Sequence, residues 1–152
     1  MREPHWSSLF PLLRWLGYGG LLPFAALALG SLLIADPASR SQCLMLLKVY
    51  GLSIISFVGA ISWGLALAHP DCDLALRRRL LIWSVLPSLV GCASFVLPSG
   101  AGCLLLAATA ALALAVDLRT TTTLGLPQAW RRLRVHLSLG AIAALSVGAL
   151  SA

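Results

Sequence analysis

From Leu80 to Val116 the sequence runs for 37 residues without one charged side chain. As a single helix that stretch would extend about 55 Å at 1.5 Å per residue, against a hydrocarbon core of about 30 Å. Pro98-Ser99-Gly100 sits at its middle, where a Pro/Gly turn divides it into Leu80–Leu97 and Ala101–Val116. Two further runs, Trp15–Ala35 and Val49–Ala68, hold 21 and 20 uncharged residues. Each is near the length needed to cross a bilayer. A last apolar run extends from Val135 to Ala152.

Composition excludes the soluble alternative. The chain is 59% hydrophobic and 11% charged, whereas a water-soluble domain carries about 25% charged residues. Its apolar surface must therefore face lipid. The sequence predicts one all-α domain over residues 1–152, an integral membrane bundle of five transmembrane helices at about 15–35, 49–68, 80–97, 101–117 and 134–152. The first run is longer than a signal-peptide core and reads as a retained helix, although Ala26-Leu27-Ala28 resembles a cleavage site.

Five crossings place the N-terminus, the 69–79 loop and the 117–134 loop on one side. That side holds nine basic residues, Arg2, Arg14, Arg77, Arg78, Arg79, Arg119, Arg131, Arg132 and Arg134; Arg40 and Lys48 fall on the other. Positive loops stay cytoplasmic. The N-terminus is thus expected inside and the C-terminus outside. Trp6, Trp15, Tyr18, Trp63, Trp83 and Trp130 cluster toward the same half. Ten arginines against one lysine, with abundant Ala, Leu and Gly, suggest a GC-rich bacterial genome and hence the bacterial cytoplasmic (inner) membrane.

The net charge of +6 does not imply nucleic acid, because the basic residues occupy gaps between apolar runs rather than one stripe along a helix. Anionic lipid headgroups are the expected partner. Cys43, Cys72, Cys92 and Cys103 form no CxxC pair, so no metal or other cofactor is expected. Cys43 and Cys103 both approach the outer face, which leaves a disulfide open, but buried small thiols are the preferred reading. Thr120–Thr123 and Gly125-Leu126-Pro127 are expected to form a polar turn, followed by an interfacial amphipathic stretch from Gln128 to Leu137.

Small residues mark helix contacts in lipid, because they let backbones approach. Gly140, Ala144 and Gly148 recur every fourth residue on the fifth helix, and Ser56, Ala60 and Gly64 on the second. Such stripes suit bundle packing, a membrane-protein partner or a homo-oligomer. Pro23 and Pro87 lie inside the first and third helices, where they bend the backbone. No ionisable residue falls within the charge-free runs. Asp117 could pair with Arg119, Arg131 or Arg134, and the candidate charge pair with Arg134 would join the fourth and fifth helices.

No nucleophile–base pair, ligand cluster or phosphate loop is present, and no catalytic residue is nominated. The candidate binding set is Tyr18, Ser62, Trp63, Trp83 and Ser84, one to one and a half turns inside the cytoplasmic boundary. Were the first three helices adjacent, it would make an aromatic pocket with hydroxyls for a small amphipathic ligand or lipid.

Several segments carry a resemblance: Leu16-Gly17-Tyr18-Gly19-Gly20-Leu21-Leu22-Pro23-Phe24; Tyr50-Gly51 with Ser56-Phe57-Val58-Gly59-Ala60-Ile61-Ser62-Trp63-Gly64; Trp83-Ser84-Val85-Leu86-Pro87-Ser88; and Asp117-Leu118-Arg119 with Gly125-Leu126-Pro127 and Leu133-Arg134. In this order the chain resembles, from about Leu16 to Leu137, the membrane-protein family called domain of unknown function 3429, which includes the mitochondrial transmembrane protein 69. Where that pattern reads S-F-x-G-G-x-x-W-G, Ala60 replaces the second glycine. Ser62 occupies a position often held by His or Arg, so no charged role is carried over. The resemblance implies topology and no chemistry.

A non-enzymatic accessory or assembly factor of a membrane complex, with respiratory complexes suggested by the mitochondrial member, is the first functional expectation. A binder or carrier of a small amphipathic ligand or lipid is the second. An ion channel or proton-coupled transporter is disfavoured by the uncharged runs.

Overall fold

A computed structural model describes residues 6–70 and 72–152. Arg2 and Glu3 lie outside them. The chain is all-helical, with α1 (Trp6–Gly19), α2 (Leu21–Leu33), α3 (Pro37–Ala68), α4 (Leu74–Ala93), α5 (Ser99–Thr123) and α6 (Gln128–Leu150); a 3-10 turn, Ser94–Val96, extends α4. Five spans among the described residues are long and apolar enough to cross a membrane: Ser8–Leu33, Pro37–Ala68, Leu74–Val96, Ser99–Thr123 and Gln128–Leu150. Pro98 divides the long uncharged run into two such spans, each long enough to cross by itself. The molecule is a multi-pass membrane bundle.

The expected boundaries were too short, for one reason: an uncharged window measures hydrocarbon thickness, while the helix continues into the polar layer. α3 begins twelve residues before Val49. Asp36 caps it by accepting hydrogen bonds from the Ser39 amide at 2.9 Å and the Ser39 hydroxyl at 2.6 Å, and Pro37 occupies the first turn. Those bonds, the hydroxyl's first, hold the Asp36 carboxyl below the usual carboxylate range. Likewise Asp73 caps α4 through the Leu76 amide, so Arg77, Arg78 and Arg79 lie on a helix rather than in a loop.

Thr120–Thr123, expected in a turn, instead end α5. The hydroxyls of Thr121 and Thr122 donate to the Leu118 carbonyl, and that of Thr123 to Arg119, so the polar side chains bond within the helix. The turn proper is Leu124–Pro127, where Gly125 has a φ of 64° that favours glycine.

Lys48 corrects a second expectation. It belongs to α3, inside the span, and is 6% exposed. Its Nζ donates to the Leu97 carbonyl at 3.4 Å and lies 5.1 Å from the Phe95 ring centroid. Arg40 also leaves the expected loop; from the first turns of α3 it donates to the Ile34 carbonyl.

α3 is the centre of the bundle and packs on α2, α4, α5 and α6. α4 lies against α3 and α5, while α1 lies against α2 and α6. The core contains Phe24, Leu47, Ile55, Leu106, Ala141, Ala144 and Leu145. Tyr50 packs edge-to-face on Phe24 with ring centroids 4.8 Å apart, and its hydroxyl donates to the Gly20 carbonyl at 2.8 Å. That bond serves the α1–α2 break, where Pro23 lacks the amide that would reach back to Gly19.

On α6, a Cβ on Gly140 would meet Leu21 at 2.8 Å, one on Gly148 would press on Leu47, and Ala144 is buried between them. α3 departs from the expected register. Ala60 and Gly64 are exposed, Ser56 is half-buried, and Gly64 has no neighbour for a Cβ within 4 Å. The face that packs carries Gly51, Ile55, Gly59, Ser62 and Ala66. Both faces have small residues at four-residue spacing and both are apolar, so spacing alone did not distinguish them. Cys43 and Cys103 are free thiols facing different glycines, Gly30 and Gly148.

Candidate functional site

The five nominated binding residues do not form one site. Ser62 and Ser84 are buried, and the Gly59 Cα approaches the Ser84 carbonyl so closely that a Cβ would not fit. Ser84 Oγ donates to Leu81 at 2.7 Å, a bond within its own helix. Trp63 is 50% exposed and Trp83 half-buried. Tyr18 lies on α1, which does not pack against α4. Its hydroxyl pairs with His136 Nδ1 of α6 at 2.9 Å, and it borders an open surface hollow with Pro11, Arg14 and Trp15.

The cavity that does form lies elsewhere. α1, α2, α3, α5 and α6 line a partly open apolar cavity of about 370 Å³, within the range of small-molecule sites. Gly17, Gly20, Leu21 and Phe24 line it from the α1–α2 break; Ile54, Ile55, Val58 and Ile61 from α3; Ala110 and Ala113 from α5. α6 supplies Trp130, Leu133, Arg134, Leu137, Ser138, Ala141 and Leu145. None of the five nominated residues lines it. Small side chains on α5 and the glycines at the break leave the space; of the features singled out in the sequence, Trp130 and Arg134 line it and Pro23 lies next to it in the chain. Pro87 is buried in α4 and does not border it.

Arg134 and Asp117 form the polar end of this region. Arg134 Nε donates to Asp117 Oδ2 at 2.7 Å, with both side chains about one-tenth exposed. The nominated pair therefore joins α5 to α6. Its two terminal guanidinium nitrogens have no protein acceptor among the described residues. Arg131 donates to the Thr122 hydroxyl at 3.2 Å, while its buried Nε has no partner among the described residues. Among the described residues no group of three or more His, Cys, Asp or Glu side chains could hold a metal ion.

Against known families, the one matched is described as a protein of unknown function (DUF3429), over residues 10–150. The chain belongs to this family. The match spans nearly all of the bundle, from α1 to the last turn of α6, and includes every wall of the cavity. No curated protein matches the chain. No solved structure matches it either.

Proposed function

We propose that the protein is a non-enzymatic membrane binder of a lipid-like amphipathic molecule. The observation that carries this reading is the cavity itself: a space walled by aliphatic and aromatic side chains, with Trp130, Arg134 and Ser138 as its polar contacts. Such a space suits a molecule with an apolar body and one polar end. The second expectation from sequence thus has better support than the first, at a site different from the one nominated. With eight of the described basic residues toward one end, we place that end in the cytoplasm of a bacterium and the protein in its inner membrane.

Native mass spectrometry of the full chain in mild detergent tests the reading. A retained amphipathic molecule is expected with wild type and with Trp63→Ala, whose side chain is outside the cavity. Loss is expected for Ile61→Trp, which fills it. Wild-type protein that retains no small molecule after mild extraction and takes up none on addition would refute the proposal.

An accessory or assembly role stands as the second reading. It is favoured by the outward Ala60–Gly64 face of α3, where small residues leave the backbone accessible. A stoichiometric membrane-protein partner lost on Gly64→Leu would establish it.

A further inference from the structure

We infer that the cavity takes one acyl chain of an anionic lipid from the leaflet at the basic end, with the headgroup on Arg134. This rests on the amphipath-binding reading and names its ligand class. The first ground is length. On α6 the lining runs from Arg134 to Leu145, eleven residues or about 16 Å at helical rise. One leaflet contributes half of the hydrocarbon core, about 15 Å. The space is therefore as deep as one lipid tail.

Direction is the second ground. On α1 and α2 the lining runs from Leu13 to Phe24, and on antiparallel α3 from Ile61 to Ile54, so Leu13, Ile61 and Arg134 share one end. That is the end where α1, α4, α5 and α6 carry Arg14, Arg77, Arg78, Arg79, Arg119, Arg131, Arg132 and Arg134. Only Asp73 and Asp117 oppose them among the described residues, and Asp73 is engaged as the α4 cap. The opposite end of the cavity, at Phe24, Ile55 and Leu145, is wholly apolar.

The third ground is the geometry of Arg134. Asp117 accepts a hydrogen bond from its Nε and fixes the guanidinium, leaving the terminal nitrogens as spare donors beside the cavity. A guanidinium presents a planar fork suited to a phosphate. Trp130, one turn before it, supplies an amphipathic ring of the kind found at headgroup depth. The second acyl chain of a phospholipid would remain in the bilayer.

The test is lipid titration of the purified, delipidated full chain, read by native mass spectrometry, with palmitoyl-oleoyl phosphatidylglycerol and phosphatidylcholine. These lipids share their tails and differ in headgroup charge. Wild type should bind phosphatidylglycerol about tenfold more tightly, the size of one charge-assisted contact. Arg132→Gln, which removes an equal charge outside the cavity, should keep the preference. The double variant Asp117→Asn/Arg134→Gln should lose it while binding phosphatidylcholine as before. Arg134→Lys, which keeps the ion pair but not the fork, should lose part of it and serves where the double variant fails to fold. Equal loss in Arg132→Gln and the double variant, or a preference unchanged in both Arg134 variants, would overturn the headgroup assignment. The amphipath-binding reading would survive if Ile61→Trp still weakened both lipids. No lipid bound, or no effect of Ile61→Trp, would overturn both.

Discussion

Glycine 59 offers the sharpest test of how the bundle is held together. A Cβ built on it would stand less than 3.0 Å from the Ser84 backbone carbonyl, closer than real Cβ atoms are found. The obstacle is backbone, so no rotamer change relieves it, and Ser84 is buried in α4. Gly59→Ala must therefore push α3 and α4 apart by roughly 1 Å, loosening the Gly51–Ala66 face along its length. Overpacking of this kind costs about 1–3 kcal/mol, and immovable backbone puts it at the upper end. The helix-propensity gain of Ala over Gly, about 1 kcal/mol, offsets part of that. A net loss of about 2 kcal/mol corresponds to a midpoint lower by roughly 4–8 °C for a chain of this size. Gly64→Ala is the matched control, because a Cβ there meets nothing within 4 Å. It should hold or slightly raise the midpoint. Gly140→Ala, opposed only by the tip of the Leu21 side chain at 2.8 Å, should fall between them. Thermal unfolding by circular dichroism in one detergent, with all variants side by side, provides the measurement. A Gly59→Ala midpoint equal to that of Gly64→Ala would refute the α3–α4 register.

Three further outcomes are expected. Lys48→Met, which keeps the length and removes a buried charge lacking a carboxylate partner, should raise the thermal midpoint, whereas Lys48→Ala should lower it by opening a void; a fall with methionine would show that the ammonium is stabilising. Neutralising Asp117 or Arg134 alone should destabilise by up to about 3 kcal/mol, and the double neutralisation by less than the sum, giving a coupling energy in a double-mutant cycle. Because hydrogen bonds from Ser39 hold the Asp36 carboxyl below the usual carboxylate range, its capping contribution should be complete above that range and disappear as pH falls through the lower folded-state value. Acid titration of the thermal midpoint should show this limb in wild type and not in Asp36→Asn.

Helix number and the Pro98 hairpin were legible because uncharged length against bilayer thickness is a strong physical constraint. The helix ends were not, since a charge marks where hydrocarbon stops and not where a helix stops. Lys48 shows this best: treated as the edge of a loop, it is a buried residue of α3. The packing face of α3 was displaced because Ser56-Ala60-Gly64 and Gly51-Ile55-Gly59 offer equally apolar stripes. In lipid, hydropathy does not say which faces a neighbour. The Asp117–Arg134 pair could be read because opposite charges fell at facing helix ends. The cavity could not, because it depends on side chains brought together from five helices.

The position of α6 has a consequence for how the protein is made. α2 and α3 are synthesised early, and α3 gives every later spanning helix a surface to dock on. α6 follows them all and packs against α2, joining early to late. Until it does, the cavity has no Arg134, no Trp130 and no Leu145. The cavity is complete only once α6 has docked, and a nascent chain stalled after α5 would expose the α2–α5 surfaces to whatever else the membrane contains.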